Sequence, residues 1–409
     1  MARTIAVLAT LDTKGQEAQY LREQLARLGS TALVLDLGVL GTPACAPDVG
    51  REEIARAGGT PLAELCRDPT REAATPVMAA GAARILGERL AAGRVHAVLG
   101  LGGLQGTALC TQIMRALPYG FPKIMVSTVA SGDTSSYVDV KDITMMFSVA
   151  DLLGLNAFTR RLLANAAGAA HGMAQVDVPM PGKHGGKPLI GMSNLGVLTQ
   201  GSLLALELFA ARGYEVLVFH AVGSGGRAME QMLKQGVLGA VFDYAMGEIS
   251  DELFGGLRAG GKERLTVAGQ LGVPQVLCPG GTEHLGILVN PPNTVPARWK
   301  DHAHVFHNPV VLAPRLDHQE YKQVAQEIGR RLQHTRGNAV LMLPLEGTGR
   351  YAMPGGPLRD PEGDAAFFAE LKACVPKTIT IVERKLHAED PAFVQEAVDR
   401  LIALIEQRS

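Results

Sequence analysis

Four closely spaced glycines follow an apolar run in the first half of the chain and precede a helical pattern; they are Gly100, Gly102, Gly103 and Gly106. The spacing does not match the G-x-G-x-x-G dinucleotide fingerprint, and no lysine stands where a P-loop has one. Glycines at a helix start nevertheless leave backbone N–H groups open to an anion, and the helix dipole adds about half a positive charge. Thr107 could cap that helix or bind a phosphate oxygen. The turn predicts a phosphate site made of backbone amides, although such turns also occur only to pack a helix closely on a strand.

Two other loops of the first half carry polar side chains after predicted strands, at 9–15 and 127–137. Lys14 could neutralise a phosphate, and Asp12 or Asp133 could hold Mg²⁺ through water. Because ligands bind beyond the carboxyl ends of parallel strands, these loops and the glycine turn predict one nucleotide site. The stretch STVASGD is also typical of a helix cap.

In the second half, turns after predicted strands bring imidazoles and carboxylates to one rim; the predicted catalytic residues are His220, Glu248, Glu283 and His307. A carboxylate paired with an imidazole is suited to general acid–base catalysis near neutral pH. A small-residue turn and its neighbours could bind a substrate carboxylate or phosphate; the predicted substrate-binding residues are Ser224, Gly225, Gly226, Arg227 and Asn308.

Three histidines, His302, His304 and His307, raise the question of a metal site. His302 and His304 share a strand face, whereas His307 has the other parity or lies beyond the strand. Without carboxylate partners in the pattern, the cluster favours an incidental grouping, and no metal is predicted there. Cys278 ends a strand where a nucleophile could sit, but nothing in the sequence places a base beside it, and a buried structural thiol is the alternative.

The elements that position these residues follow one recurring pattern of apolar strand, small-residue turn and helix. Strands that are apolar on both faces and alternate with helices indicate parallel sheets covered on both sides. The predicted fold is α/β, with two doubly wound Rossmann-like domains at 1–180 and 188–409. A Pro/Gly-rich segment at 176–187 is the predicted linker.

Composition excludes several function classes. The 409 residues are 47% hydrophobic and carry a net charge of −1, with no basic run interleaved with aromatics, so nucleic-acid binding is not predicted. No run is apolar and long enough for a membrane span, and the N-terminal run is too short for a signal peptide. Five separated cysteines without a C-x-x-C motif are typical of a reducing cytoplasm.

The order of motifs along the chain resembles a family known as the ATP-binding domain family of the tomato mosaic virus resistance protein, long catalogued as uncharacterised. The motifs are LATLDTKG, GLGGLQGTAL, MRALPYGFPKIMVSTVASGD, DITMMFSVADLLGLN, NAAGAAHGM, GYEVLVFHAVGSGGRAME and HNP. The resemblance covers nearly the whole chain. It implies two α/β subdomains, homodimerisation and ATP binding in the first subdomain.

By motif, the resemblance implies these ATP-site residues: Thr10, Asp12, Thr13, Lys14, Gly102, Gly103, Gly106, Thr107, Ser127, Thr128, Ser131, Gly132 and Asp133. In the second half it matches His220, Gly225, Gly226, Glu248, His307 and Asn308. The chain departs from the family where Leu104 and Gln105 replace Ser-Gly, and where Glu283 stands in place of Asp.

These observations lead to one main hypothesis and two alternatives. The main hypothesis is a cytoplasmic, homodimeric or larger enzyme that binds ATP with Mg²⁺ and acts on a small organic acid or its phosphate. One alternative is a nucleotide-independent hydrolase, lyase or isomerase of a small carboxylate, with its site in the interdomain cleft. The other is a ligand-binding regulatory or interaction protein.

Overall fold

The computed structural model describes residues 2–67, 69–180 and 186–407. The chain forms two compact units, Met1–Val178 and Pro179–Ser409. Their boundary falls within the segment predicted as a linker, of which 181–185 lie outside the described residues.

The first unit is built on a five-stranded parallel sheet in the order β2-β1-β3-β4-β5. Its strands are β1 (Thr4–Ala9), β2 (Thr31–Asp36), β3 (Ala97–Gly102), β4 (Lys123–Ser127) and β5 (Thr144–Phe147). Its helices are α1 (Leu11–Arg27), α2 (Arg51–Ala57), α3 (Leu62–Leu65), α4 (Arg71–Ala91), α5 (Leu104–Ala116), α6 (Ser135–Val138) and α7 (Ala157–Ala174). Helices α1 and α7 pack on one face of the sheet, and α2, α4 and α5 pack on the other. The strands are apolar on both sides because both faces are covered.

The second unit contains a six-stranded parallel sheet and a small antiparallel sheet. Its strands are β6 (Ile190–Asn194), β7 (Val216–His220), β8 (Ala240–Ala245), β9 (Gln275–Gly280), β10 (Ile287–Leu288), β11 (His304–Asn308), β12 (Val311–Pro314), β13 (Ala339–Pro344) and β14 (Thr380–Arg384). Its helices are α8 (Thr199–Ala211), α9 (Ser224–Lys234), α10 (Gly247–Phe254), α11 (Val267–Leu271), α12 (His318–Leu332), α13 (Pro361–Cys374) and α14 (Pro391–Glu406), with 3₁₀ turns at Gly196–Leu198 and Ala297–Trp299.

The parallel sheet of the second unit has the order β14-β13-β9-β8-β6-β7. Helices α8 and α14 cover one face, and α9 to α13 contribute to the cores on the other. By the recurring pattern of the sequence, the run HVFHN (304–308) is predicted as one more strand of the parallel sheet. It instead forms β11, which pairs antiparallel with β12. This hairpin inserts between β9 and α12. The predicted α/β class with two doubly wound, mainly parallel sheets is confirmed.

Both units use the same strand order, in which the first strand lies between the second and the third. The order therefore reverses between β1 and β3 in the first unit and between β6 and β8 in the second. Ligands of doubly wound proteins bind at such a reversal, beyond the carboxyl ends of the strands. Across the described residues, no helix combines the length and apolarity needed to cross a membrane.

Candidate active site

A pocket of about 320 Å³ lies within the second unit, at the carboxyl edge of its parallel sheet. Turns after β6, β7, β9 and β13 form its walls together with the β11–β12 hairpin. The lining residues are Leu195, Gly196, Val197, His220, Val222, Leu257, Arg258, His284, Leu285, Gly286, His307, Val311, Ala313 and Tyr351. The fold thus brings two of the predicted catalytic histidines to one pocket, with a third histidine and an arginine that were not predicted.

The third histidine, His284, forms a buried dyad with its neighbour Glu283. Nδ1 of His284 lies 2.9 Å from Oε1 of Glu283, and Thr348 donates its hydroxyl to the other carboxylate oxygen at 2.7 Å. Burial opposes ionisation of Glu283, but the adjacent His284 and these hydrogen bonds outweigh it and lower the pKa of the carboxyl to about 2. An ionised Glu283 accepts from Nδ1–H and leaves Nε2 of His284 as the acceptor of a proton. Glu283 is fully buried, so it acts through His284 rather than on a ligand.

Arg258 is held rigidly beside this dyad. Its Nε and Nη2 atoms lie 3.0 and 2.6 Å from Oδ2 of the buried Asp251, and Nη2 also donates to the carbonyl of His284. The other oxygen of Asp251 accepts from the N–H groups of Arg258 and Gly286. Nη1 lies 3.4 Å from Nε2 of His284, at the long limit of a hydrogen bond. A fixed guanidinium N–H therefore faces the pocket next to the candidate base.

His307 and Tyr351 supply a second polar pair. Nδ1 of His307 lies 3.3 Å from the Tyr351 hydroxyl, and the Tyr351 ring stands edge-on to His284 with 5.4 Å between ring centroids. Burial, and then the charge of Glu283, raise the pKa of Tyr351, which keeps its hydroxyl protonated. His220 is exposed and also lines the pocket.

Asn308 belongs to the turn of the hairpin instead. Its side-chain oxygen accepts from the N–H of Val310 at 3.0 Å, and the residue is exposed. Asn308 is absent from the pocket lining, so its observed role is to stabilise the hairpin turn and not to bind a ligand in this pocket.

Glu248 lies in the protein interior, away from the pocket lining. One of its oxygens accepts from the N–H groups of Gly223 and Gly226 at 2.6 and 3.1 Å, and the other lies 2.6 Å from Nε of the fully buried Arg264. These contacts favour a structural role for Glu248 in place of the predicted acid–base role. The sequence could not show this, because Arg264 lies in a loop without a recognisable motif.

In the predicted substrate-binding turn at Ser224, Gly225, Gly226 and Arg227, the two glycines likewise serve the fold. The N–H of Gly226 donates to the carboxylate of Glu248. A Cβ at Gly225 would lie 1.9 Å from the carbonyl oxygen of His220. Gly225 is therefore required for close packing of α9 against β7. None of the four residues lines the pocket.

In the first unit, the glycine turn after β3 leads directly into α5. The N-cap residue is Gly103, which has no side chain to accept from the first-turn N–H groups, and Leu104 and Gln105 are exposed. Those amides are left to solvent or to an anion. A Cβ at Gly102 would lie 2.7 Å from Cα of Gly106, so glycine is required at position 102 for α5 to pack closely against the end of β3. Gly103 borders open space, since the nearest atom to a Cβ there is Oγ1 of Thr128 at 3.6 Å.

Several predicted phosphate ligands already have partners in the protein. Thr107 and Ser127 are buried, and their hydroxyl oxygens lie 2.7 Å apart. Thr107 lies within α5 rather than at its cap. The Lys14 ammonium donates to the carbonyl of Leu152, and Thr10 and Thr13 share a hydrogen bond of 2.9 Å in the first turn of α1.

The remaining predicted ligands are Asp12 and the residues of the loop after β4. Oδ1 of Asp12 is buried without a hydrogen-bond partner among the described residues. Ser131, Gly132 and Asp133 are exposed, and Asp133 accepts from the N–H of Ser135 at the start of α6, which lowers the pKa of its carboxyl. The Asp133 side chain thus accepts a hydrogen bond from a backbone N–H at the start of a helix, which agrees with the interpretation of STVASGD as a helix cap.

The three histidines considered for a metal do not converge. Nδ1 of His302 lies 2.7 Å from the carbonyl of Arg315, and Nδ1 of His304 lies 2.8 Å from the carbonyl of His302. Within the described ranges, the group that could hold an ion is His302 with Asp317 and Glu320. The two carboxylates form the capping box of α12, which accounts for their proximity.

Sequence reasoning missed His284, Arg258 and Tyr351. His284 and Tyr351 lie in the turns CPGGTEHL and PLEGTGRY, which follow β9 and β13, so their position after a predicted strand was available as a signal. Arg258 lies between α10 and α11 and carries no such signal.

Comparison with protein families matches both units. The model of the uncharacterised protein family (UPF0261) N-terminal domain covers residues 3–179, and that of the UPF0261 C-terminal domain covers 187–405. A UPF0261 protein of Clostridium tetani is 37% identical over 408 residues, which is 100% of each chain. A UPF0261 protein of Mesorhizobium japonicum is 35% identical over 96% of this chain and 97% of its own length.

A plant protein and a solved structure are also similar. The ToMV resistance protein Tm-1(GCR237) of Solanum lycopersicum is 32% identical over 312 residues, which is 75% of this chain and 41% of the plant protein. The crystal structure of Acinetobacter baumannii MurG matches 98% of this chain and 100% of its own, with 14% identity and a TM-score of 0.22.

Proposed function

Because this chain belongs to the uncharacterised UPF0261 family, whose descriptions name no reaction, we propose its function from the geometry of its second unit: acid–base catalysis on a small organic acid. The observation that carries this proposal is the buried Glu283–His284 dyad, whose Nε2 faces the same pocket as Nη1 of Arg258. A base beside a fixed cation suits proton transfer from an atom near a bound carboxylate, or from a water molecule that attacks near it.

Each polar group then has a role. Arg258 binds the carboxylate, His284 takes the proton, and ionised Glu283 stabilises the imidazolium that forms. His307 and Tyr351 form a second polar pair beside His284 and supply a proton to the reacting group. His220 adds a further imidazole from the end of β7. Hydrolysis, elimination and isomerisation all use such a set, and positioned acid–base groups contribute roughly 10²- to 10⁴-fold to their rates.

A turnover screen of small organic acids, with and without MgATP, tests this function. Turnover without nucleotide supports a catalyst that works in the second unit alone. Turnover only with MgATP supports an enzyme that couples both units. Ligand binding that changes the assembly without turnover of any acid would favour the regulatory alternative.

We further propose that the first unit binds the phosphates of ATP at the start of α5. The support is the uncapped turn at Gly103, which lies beside Thr128 and next to the reversal of strand order. Oδ1 of Asp12, which has no hydrogen-bond partner in the described part of the chain, suits Mg²⁺, which prefers carboxylate and water ligands. Calorimetric titration with MgATP tests this part, and the absence of measurable heat at millimolar nucleotide would remove it.

We also propose that the chain works as a homodimer or larger homo-oligomer in the cytoplasm. The family resemblance suggests the dimer, and the five cysteines are free, as is usual in a reducing compartment. Native mass spectrometry of the purified protein measures the oligomeric state directly.

A further inference from the structure

Resting on the proposed function, we propose that the organic acid is a monocarboxylate with an apolar body rather than a phosphorylated acid. Half of the residues that line the pocket carry aliphatic side chains, including Val222, Leu257 and Val311. Burial of apolar surface is favourable by about 25 cal/mol per Å². A ligand that places hydrocarbon against these side chains therefore gains affinity with each methylene group.

Arg258 offers the ligand a single cation, and the buried carboxylates around the pocket disfavour a second negative charge on the ligand. Arg258 is the one lining residue with a permanent positive charge, and the buried carboxylate of Asp251 already pairs with it. Glu283 adds a second buried carboxylate behind His284. A phosphate monoester carries about −1.5 to −2 charges at neutral pH, and its second charge would be buried without a partner.

The Nη1 atom of Arg258 determines where the negative charge of the ligand binds. Nε and Nη2 are committed to Asp251, whereas Nη1 has a 3.4 Å contact with His284. A ligand carboxylate beside Nη1 accepts a charge-assisted hydrogen bond from it and lies next to Nε2 of His284, the candidate base. Arg258 and His284 are buried, while Val222 and Val311 are half-buried and Leu257 is 41% exposed. The acid therefore enters with its carboxylate inward and its hydrocarbon toward the more exposed side chains.

The pocket volume sets the size of this acid. A volume of about 320 Å³ lies at the lower end of the range of roughly 300–1,000 Å³ that is usual for ligand pockets. The second-unit site is thus sized for one small acid and not for a nucleotide.

Isothermal titration of the full chain with acetate, butyrate, hexanoate and octanoate tests this substrate class. We expect affinity to rise about three- to fourfold per added methylene until the pocket is filled. The primary amide and the alkyl phosphate of the same chain length should each bind at least about tenfold more weakly than the carboxylate. An affinity that does not change with chain length, or tighter binding of the alkyl phosphate, would overturn the proposal.

Two leucine variants test whether the hydrocarbon chain of the acid binds in this pocket. Leu257→Asn changes a partly exposed side chain of the pocket, and Leu253→Asn changes a leucine of 38% exposure outside the lining. We expect the dependence on chain length to weaken in Leu257→Asn and to persist in Leu253→Asn. Equal behaviour of the two variants would place the hydrocarbon elsewhere and contradict the proposal.

The two proposals fail in different ways. If these acids bind as expected but none is turned over, acid–base catalysis fails and the ligand class stands. If turnover depends on His284 but affinity does not respond to chain length, the ligand class fails and the catalytic function stands.

Discussion

Nδ1 of His284 lies 2.9 Å from Oε1 of Glu283, so two consecutive residues form a carboxylate–imidazole pair at the edge of a buried strand. The turn after β9 directs the imidazole toward the pocket while the carboxylate is fully buried behind it. The hydroxyl of Thr348, from the turn after β13, holds the second oxygen of Glu283. The dyad therefore ties two neighbouring strand ends together.

Replacing Glu283 with Gln should lower turnover of the organic acid by about a hundredfold, because the imidazolium of His284 loses its counter-charge. Nitrogen-15 NMR of the histidines should show that neutral His284 carries its proton on Nδ1 in the wild type, and a mixture of tautomers in the variant. Glu346→Gln is the control, since this side chain is exposed at the same end of the sheet. Unchanged tautomers and unchanged turnover in Glu283→Gln would argue against the dyad.

Glu230 should make the stability of the second unit fall as pH rises. Burial, partly offset by Arg264, raises the pKa of its carboxyl to about 7, from about 4.3 in the unfolded chain. Its stabilising contribution is complete below about 4.3 and is lost as pH rises through about 7, by an amount on the order of a few kcal/mol. Glu230→Gln should therefore gain stability relative to wild type between pH 5 and 8, as measured by chemical denaturation. Glu263→Gln, an exposed residue, is the control; equal pH dependence in wild type and Glu230→Gln would contradict this prediction.

Arg258 and Asp251 should behave as one buried unit. Asp251→Ala leaves a buried guanidinium without its partner and should destabilise the second unit by roughly 3–5 kcal/mol. Arg258→Met should be destabilising for the converse reason. Combining Arg258→Met with Asp251→Leu should cost much less than the sum of the single changes, which urea unfolding measures. Additive costs would show that the two side chains do not depend on each other.

Sequence patterns predicted the sheets because both are built from strands that are apolar on each face, such as β3 and β8. The rule that ligands bind at strand carboxyl ends predicted His220 and His307 at one rim. Both line the pocket, but His220 ends a parallel strand whereas His307 reaches the pocket from the antiparallel hairpin. The β11–β12 hairpin was misassigned because a short strand such as HVFHN has the same appearance in parallel and antiparallel sheets.

The partners of polar side chains could not be predicted from local patterns. Glu248 resembled a site residue because it follows a strand, and its burial depends on Arg264, sixteen positions away in sequence and fixed only by the fold. Thr107 and Ser127 resembled phosphate ligands for the same reason, but their hydroxyls are bonded to each other. A polar residue at a strand end thus predicts the edge of the sheet better than it predicts contact with a ligand.

Replacing Gly103 with Asp separates nucleotide binding from folding. Gly103 has extended backbone angles suited to an N-cap, and its Cβ position is open. An aspartate there accepts from the first-turn amides of α5, so stability should be unchanged or rise by a few tenths of a kcal/mol. The same carboxylate occupies the predicted phosphate position, so heat on titration with MgATP should disappear. Gly87→Ala, at an open position on α4, is the control; full MgATP binding by Gly103→Asp would exclude this turn as the phosphate site.

The most direct test of the catalytic account compares wild type with His284→Gln, measuring both the Kd of an accepted organic acid and its kcat at saturation. We expect Kd to change by less than about threefold, because Arg258 and the apolar walls remain, and kcat to fall by roughly 10²- to 10⁴-fold. His302→Gln should leave both quantities at their wild-type values, since His302 lies outside the pocket lining. A His284→Gln protein that binds the acid and retains its kcat would contradict the account.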